Sequence, residues 1–331
     1  MKIKPEELKK ITYLDNNSIG DRAVLLMPLW DGEEWKQWLP INNGELAEIK
    51  PVDIVHSDYL AKDAVKETDL WIPFVDFIWQ RGNWPEIYKI NHAICEDFHN
   101  LATSIAKINY FFRNRESIGG KVSSFVETEI EYIVTLARSI FDLLQETIAK
   151  IWKNRISFLD PETEKMRKQR NLPETFSKIV LRNKQDIKTA DELQNEYGLP
   201  TNLAAAYYSC AGFFNALRKV RDNIVHGSGS VSGVFDTEKG FCVSPNSKGF
   251  CDFDIWDESH KYNENISSLL PWLTHVVFNT INACSEIMSA FSQQIQFPEE
   301  MAPGYKVFIR GLNNEALISL IDVAKGEKVW W

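Results

Sequence analysis

One stretch near the middle of the chain has the clearest helical periodicity in the sequence. Between Ile130 and Trp152, apolar residues recur at steps of three and four positions. This spacing places them on one side of an α-helix. The residues of this stripe are Ile130, Ile133, Val134, Ala137, Ile140, Phe141, Leu144, Ile148, Ile151 and Trp152. Because so long an apolar face must be covered, the stretch predicts a helix that packs inside a bundle.

Three further segments show the same period and would supply the partners of this helix. We expect helices over about 84–112, 202–226 and 267–295. Gly119 and Gly120 separate the first of these from the 130–152 helix. The short connection predicts that the two helices form an antiparallel hairpin.

The remaining segments give the expected domain organisation and fold class. Residues 1–82 show no sustained helical period and form a mixed region of unknown role, while 83–300 hold the four-helix bundle. A basic insertion at 156–199 and a β-hairpin at 231–254 interrupt the bundle, and 301–331 form a strand–helix–strand extension. The predicted fold class is therefore mainly α, with a β-hairpin insertion and small mixed α/β extensions at both ends.

Charge restricts the classes of partner. The formal net charge of −9 excludes a passive nucleic-acid coat, because such proteins neutralise phosphates with Lys and Arg. The distribution is uneven, since residues 150–188 carry 11 Lys and Arg against 5 Asp and Glu. This basic segment either attracts an anion or is a solvated linker between helices.

Apolar runs and cysteines indicate the expected compartment. The longest apolar stretches, such as 23–29, are far shorter than the roughly 20 residues needed to span a bilayer, so we expect no membrane contact. The 5 cysteines are widely spaced and form no CxxC pair, which favours free thiols in a reducing compartment. We therefore expect a cytoplasmic protein.

A candidate site lies at the end of the third predicted helix. Arg221 follows Leu217 by four positions and Phe214 by seven, so it falls within that helix's apolar stripe. A guanidinium there requires a carboxylate partner, a cleft or a partner surface. Asp222 and His226 are four residues apart, so the carboxylate can orient the ring and favour its protonated form. Arginine can bind a phosphate while histidine moves a proton near neutral pH.

The same residues also permit a purely structural interpretation. Arg221 and Asp222 would then form an ion pair, and His226 would serve only as a cation near the helix C-terminus. Spacing alone favours this structural interpretation, because an Arg and a His at this distance often occur by chance.

The run Arg221-Asp222-Asn223-Ile224-Val225-His226 resembles the R-x4-H signature of the HEPN superfamily. Members of that superfamily are helical bundles, frequently homodimers and often metal-independent ribonucleases. The resemblance implies a HEPN-like bundle over about 84–296, with Arg221, His226 and Asp222 as the catalytic residues. In that family the Arg and His of two subunits commonly meet across the dimer interface, and the polar residue after the Arg supports them.

The resemblance also implies an activity and its partners. His226 would assist attack of a ribose 2′-hydroxyl on the adjacent phosphate, and Arg221 would neutralise the developing charge. The substrate would be RNA, since DNA lacks the nucleophile, and neither metal nor cofactor is needed. Arg218, Lys219 and Asn223 are weaker candidates for RNA contact. The family further implies a toxin or defence role, with an antitoxin or regulatory partner.

The alternative function is a non-catalytic, dimeric, HEPN-like binding or scaffold protein that keeps Arg221 and His226 in structural ion pairs. Solvent access distinguishes the two functions. An enzyme needs both side chains in a cleft open to an RNA strand, whereas a scaffold would cover them.

Two further groups of residues carry weaker signals. His92, Cys95, Glu96 and His99 share one helical face, and their side chains are of the types that bind zinc. However, ligands from one straight helix extend too far along its axis for one tetrahedral ion, so partly buried bundle residues are the favoured interpretation. His56, His260 and His275 have no supporting neighbours in the sequence.

Arg138 and Asp142 form an i,i+4 couple on the polar side of the 130–152 helix. The couple is either a surface ion pair or a partner of Arg221 or His226 across the bundle.

Overall fold

The computed structural model describes residues 2–154, 159–183, 186–225, 231 and 233–331. The helices are α1 (Pro5–Leu8), α2 (Pro73–Gln80), α3 (Tyr88–Arg113), α4 (Arg115–Ile118), α5 (Val122–Asn154), α6 (Pro161–Gln169), α7 (Phe176–Val180), α8 (Ala190–Tyr197), α9 (Thr201–Val225), α10 (Leu270–Ser292) and α11 (Asn314–Ala324). The strands are β1 (Leu29–Trp30), β2 (Trp35–Pro40), β3 (Leu46–Ile49), β4 (Ser57–Ala61), β5 (Leu181–Arg182), β6 (Asp186–Ile187), β7 (Val234–Thr237), β8 (Gly240–Val243), β9 (Ser267–Ser268) and β10 (Lys306–Arg310).

The long central helix forms as the periodicity predicts. Every residue of the 130–152 stripe is at most 1% exposed, and α5 buries this face against α3, α9 and α10. Contacts of Lys107 with Glu129 and of Asp97 with Ser139 show that α3 and α5 run antiparallel. The predicted helical hairpin is therefore confirmed. Within the described ranges, no helix has both the length and the apolar run needed to cross a membrane.

The predicted mainly-α fold class is wrong. Over the described residues, the structure is 52% helix and 12% strand, with three sheets. The largest is a mixed five-stranded sheet of order β10-β4-β1-β2-β3, in which β1 and β4 are parallel and the other neighbours are antiparallel. The chain is thus a mixed α and β protein, in which a substantial sheet accompanies the long helices.

Local sequence patterns do not show the full sheet, because its strands are short and some pair with strands far away in the sequence. The β10 register places Lys306 opposite Ala61 and Arg310 opposite Ser57, so the C-terminal strand joins the N-terminal region. Arg310 anchors this pairing, since its guanidinium donates to both Asp69 carboxylate oxygens at 2.9 and 2.6 Å. Sequence patterns detect helical periods and single strands within a window, but they do not show the order or register of the five strands.

The C-terminal extension forms only in part as expected. β10 and α11 are the predicted strand and helix, but 328–331 form no strand. Trp331 instead packs its ring near Phe112 and Phe241, and its backbone N–H donates to the Lys239 carbonyl. The chain end therefore ties α3 to the β7–β8 hairpin.

The two predicted interruptions of the bundle also appear. Residues 234–243 form the hairpin of β7 and β8, to which β9 adds a third strand. The basic insertion contains α6, α7, the β5–β6 pair and α8. α8 begins with a capping box between Thr189 and Glu192 and ends at Gly198, whose φ of 68° favours glycine.

Candidate functional site

The end of α9 and the middle of α5 border an open cleft of about 510 Å³, here named the arginine cleft. Its lining residues are Thr135, Arg138, Ser139, Asp142, Leu143, Glu146, Glu174, Thr175 and Arg221. Phe214 and Leu217, which precede Arg221 on the same helical face, are fully buried, whereas the Arg221 side chain is 34% exposed. The apolar stripe of α9 therefore reaches the surface at its last turn, where Arg221 faces the cleft.

Asp222 holds Arg221 at the edge of this cleft. The Arg221 Nη1 donates to Asp222 Oδ1 at 3.2 Å, and Arg218 Nη2 lies 3.3 Å from Asp222 Oδ2. One carboxylate thus bridges two guanidinium groups. This bridge limits the rotamers of Arg221, and among the described residues most of its five N–H donors have no hydrogen-bond partner.

Arg138 brings a second guanidinium to the arginine cleft. It forms an ion pair with Asp142, whose other oxygen accepts the Phe176 backbone N–H at 3.1 Å. The Arg138 guanidinium lies 5.8 Å from the centre of the Phe214 ring, and its Nε is buried without a hydrogen-bond partner. The structure therefore confirms the Arg138–Asp142 ion pair that the i,i+4 spacing predicts, and both residues line the same cleft as Arg221.

Carboxylates balance much of the positive charge in the cleft. Asp142 pairs with Arg138, and Glu146 pairs with Lys150 at 2.9 Å. Glu174 also lines the cleft. The lining of the cleft therefore carries three carboxylates against the guanidinium groups of Arg138 and Arg221, and it forms no broad basic surface.

The other predicted site residues lie apart or outside the described residues. His226 belongs to the part of the chain outside the described ranges. Lys219 pairs with Asp252 at 2.7 Å, and it projects about 200° around α9 from Arg221. Neither Lys219 nor Asn223 lines the arginine cleft. The cleft thus brings together Arg221, Arg138 and their carboxylate partners, but not the weaker candidates for RNA contact.

After α9, the chain is held against the same side of α5. The Glu131 carboxylate accepts the Val231 backbone N–H at 3.0 Å, and Glu127 accepts the Gly233 N–H at 3.0 Å. Glu131 is one helical turn before Thr135, which lines the arginine cleft. Before residue 226 the chain therefore lies on α9, which packs against α5, and after residue 230 it contacts α5 through Val231 and Gly233.

A second and larger cleft of about 1380 Å³ lies between α3 and the N-terminal region, and we name it the histidine cleft. His92, Cys95, Glu96 and His99 line it together, so the predicted shared face of α3 is confirmed. The β4 side contributes His56 and Asp58. The His56 and His99 rings are 4.2 Å apart between centroids.

Asp58 lies beside this pair of imidazole rings. Its Oδ1 is 3.9 Å from His99 Nε2, and its Oδ2 accepts the Trp79 indole N–H at 3.1 Å. Desolvation and the neighbouring His99 lower the pKa of His56 below its usual 6.5. Burial raises the pKa of the Cys95 thiol well above 9.0. His56 is therefore neutral at physiological pH, and Cys95 remains a thiol.

The zinc alternative gains no support from this geometry. Among the described residues, no three His, Cys, Asp or Glu side chains converge closely enough to hold a metal ion. Sequence reasoning did not find His56 because its neighbours come from a helix more than 40 positions away, and no local spacing signals that contact.

No family model matches this chain, and no curated protein or solved structure matches it. The function of the chain must therefore be inferred from the chemistry of the two clefts.

Proposed function

We propose that this protein is a metal-independent endoribonuclease of HEPN type that cleaves RNA by attack of a 2′-hydroxyl on the adjacent phosphate. The observation that carries the proposal is the Arg221 guanidinium, which is held by Asp222 and faces an open cleft. A buried structural ion pair would leave no donors available to a ligand. A partly exposed guanidinium with an orienting carboxylate is suited to binding a phosphate.

The reaction would form one bond and break one bond at phosphorus. His226, the residue directly after the end of α9, would accept the 2′-hydroxyl proton as O2′ attacks. The bond between phosphorus and the 5′-oxygen would break, and that oxygen would receive a proton from a second group. Arg221, supported by Arg138, would stabilise the charge on the non-bridging oxygens. The products would be a 2′,3′-cyclic phosphate and a 5′-hydroxyl.

The proposal includes the cellular setting. The enzyme would act as a homodimer, which would bring the Arg and His of two subunits together. All 5 cysteines of the chain are free thiols, in keeping with a reducing cytoplasm. A toxin or defence role, with an antitoxin or regulatory partner, belongs to the same proposal and derives from the HEPN resemblance.

The test is cleavage of a mixed RNA pool in EDTA by wild type and variants, with the new ends assayed for 2′,3′-cyclic phosphate. We expect His226→Ala and Arg221→Ala each to lower the cleavage rate by about 100-fold or more. Lys325→Ala is the matched control, because it removes the same charge from an exposed position that lines neither cleft. This control should keep the rate within about threefold, since a single surface charge changes binding only modestly.

The alternative, a non-catalytic dimeric binding or scaffold protein, is favoured by two observations. One is the Arg221–Asp222 ion pair at 3.2 Å, which this function predicts. The other is the charge of the cleft. Asp142, Glu146 and Glu174 line the arginine cleft and would repel a polyanion. Wild type that forms a dimer but cleaves no RNA, with Arg221→Ala weakening the dimer, would support the scaffold. Light scattering of both proteins measures this second outcome.

A further inference from the structure

The histidine cleft is separate from the arginine cleft and has no role in the proposed ribonuclease. Its volume of about 1380 Å³ exceeds that of typical small-molecule pockets, which span about 300–1,000 Å³. Polar side chains from α3 and from the β4 side meet in it, while a continuous segment, 23–28, supplies apolar residues along one wall. This combination of apolar wall and polar groups is typical of a ligand site.

Asp58 is the central polar group of the histidine cleft. Its side chain is 14% exposed, and the Cys95 thiol interacts with its carboxylate. Among the described residues, its Oδ1 is buried without a hydrogen-bond partner. The nearest imidazole nitrogen, His99 Nε2, lies 3.9 Å away, beyond the range of a hydrogen bond. A desolvated carboxylate oxygen without a donor is costly, so this site favours a ligand that supplies one.

The charges that face the cleft favour a cationic donor. Glu96, an exposed residue on the α3 wall, adds a second carboxylate, and Asp21 adds a third, whereas Lys2 adds one positive charge. Arg22 also lines the cleft, but its guanidinium donates to the backbone carbonyls of Ser18, Ile19 and Gln80. Its N–H groups are therefore engaged with the backbone.

The aromatic rings of the cleft suit the same ligand chemistry. Tyr88 is one helical turn before His92 on α3, and its ring meets that of Trp79 edge to face at 5.6 Å. The Tyr88 side chain is partly exposed and lines the cleft. A protonated amine near an aromatic face gains a cation–π interaction in addition to its hydrogen bonds.

We propose that the histidine cleft binds an organic amine, with its ammonium group at Asp58 and Glu96 and its apolar body along residues 23–28. The Asp58 Oδ1 atom has almost no exposed surface in the structure. The ammonium N–H groups therefore reach this acceptor position when the Asp58 side chain rotates toward the cleft. The His56 and His99 rings, which lie 4.2 Å apart and are tilted by 41° to each other, form the adjoining wall. The ligand class follows from one desolvated acceptor, a second carboxylate and an apolar wall.

The test compares three probes of equal length that differ in the head group: n-hexylamine, n-hexanol and hexanoate. Binding to the full chain is measured at pH 7.5 by ligand-observed NMR and calorimetry. We expect n-hexylamine to bind at least about tenfold tighter than n-hexanol, since hydrogen bonds to charged groups are worth more than neutral ones. Hexanoate should bind weakest, because Asp58 and Glu96 repel it.

Variants then assign the preference to these carboxylates. Asp58→Asn keeps the shape and an acceptor for Trp79, and it should reduce the preference for n-hexylamine over n-hexanol to about threefold or less. Glu96→Gln, at an exposed position, should weaken n-hexylamine binding without affecting folding. Glu116→Gln is the matched control, since Glu116 is an exposed carboxylate that does not line the cleft.

Three results would overturn the proposal. One is the absence of n-hexylamine binding at millimolar concentrations, and another is tightest binding by hexanoate, which would indicate an anion site at the imidazoles. The third is a head-group preference that persists in both Asp58→Asn and Glu96→Gln. If Asp58→Asn does not fold, Glu96→Gln alone decides, and an unchanged preference in that variant refutes the assignment.

Discussion

Asp97 offers a quantitative test of how the helices pack. It lies on α3 and faces α5, where the Ser139 hydroxyl hydrogen bonds to its carboxylate. Burial raises the pKa of Asp97 from 3.8 to about 6, and the charge of Glu96 adds to the increase, while the Ser139 hydrogen bond opposes it. The folded protein therefore disfavours the ionised form of this side chain, and Asp97→Asn should stabilise the fold at neutral pH.

The magnitude follows from proton linkage. The folded and unfolded pKa values of Asp97 differ by about two pH units, and each unit corresponds to about 1.4 kcal/mol. Because the folded state binds the proton more tightly, the free energy of unfolding falls as pH rises from about 4 to about 6. The amide that replaces the carboxyl in Asp97→Asn does not ionise. The advantage of this variant should therefore grow from below about 1 kcal/mol at pH 4 to about 3 kcal/mol at pH 8.

The assay is urea unfolding of wild type and Asp97→Asn at several pH values between these limits. Asp63→Asn is the matched control, because Asp63 is exposed and its loss should change the free energy of unfolding by no more than about 0.5 kcal/mol. A difference between Asp97→Asn and wild type that does not depend on pH would refute the linkage. A variant less stable than wild type at pH 8 would refute the inferred burial.

Other side chains give further expectations. Arg310→Ala leaves the buried Asp69 carboxylate unpaired and should lower the free energy of unfolding by about 3 kcal/mol or more, measured by urea denaturation. Trp331→Ala removes the ring that joins the hairpin to α3 and should cost about 2 kcal/mol in the same assay. Gly240→Ala should be comparably destabilising, because its φ is +147° and a Cβ would lie 2.5 Å from the Trp331 ring. Arg138→Ala should raise the KM for RNA about tenfold if this guanidinium contacts a phosphate, which steady-state kinetics would measure.

The helices were predictable because their information is local. The α5 stripe repeats over several turns, so a window of about 20 residues shows both the helical period and which face of the helix is apolar. The end of α8 was predictable for a similar reason, since Gly198 adopts the positive φ that terminates a helix. In both cases the residues that determine the structure are neighbours in the sequence.

The sheet was not predictable at its true extent because its information is distributed. β1 has only two residues, and β4 pairs with a strand near the other end of the chain. Such strands are stabilised by cross-strand contacts and by buried pairs such as Arg310 with Asp69. Neither kind of contact produces a periodic pattern within a local window. The prediction from the sequence therefore overestimated the share of helix relative to strand.

The candidate site residues also differ in whether a local sequence pattern indicates them. Arg221 was found because a charged residue interrupts an apolar stripe, which is a local signal. Arg221 lies in the same cleft as Arg138 because of how α5 and α9 pack. The spacing of residues along each helix does not predict that packing. His56 gave no local signal, although its ring lies 4.2 Å from that of His99.

Helix α3 connects the two clefts through consecutive residues. Glu96 lines the histidine cleft, whereas Asp97 contacts Ser139, which lines the arginine cleft. The negative charge of Glu96 already contributes to the raised pKa of Asp97. An organic cation beside Glu96 would offset that charge and lower the pKa of Asp97, so ionisation of Asp97 would be easier in the liganded protein. Amine binding in the histidine cleft would then change the charge next to Ser139 in the arginine cleft. By linkage, protonation of Asp97 would change the amine affinity by the same factor by which amine binding changes the proton affinity of Asp97.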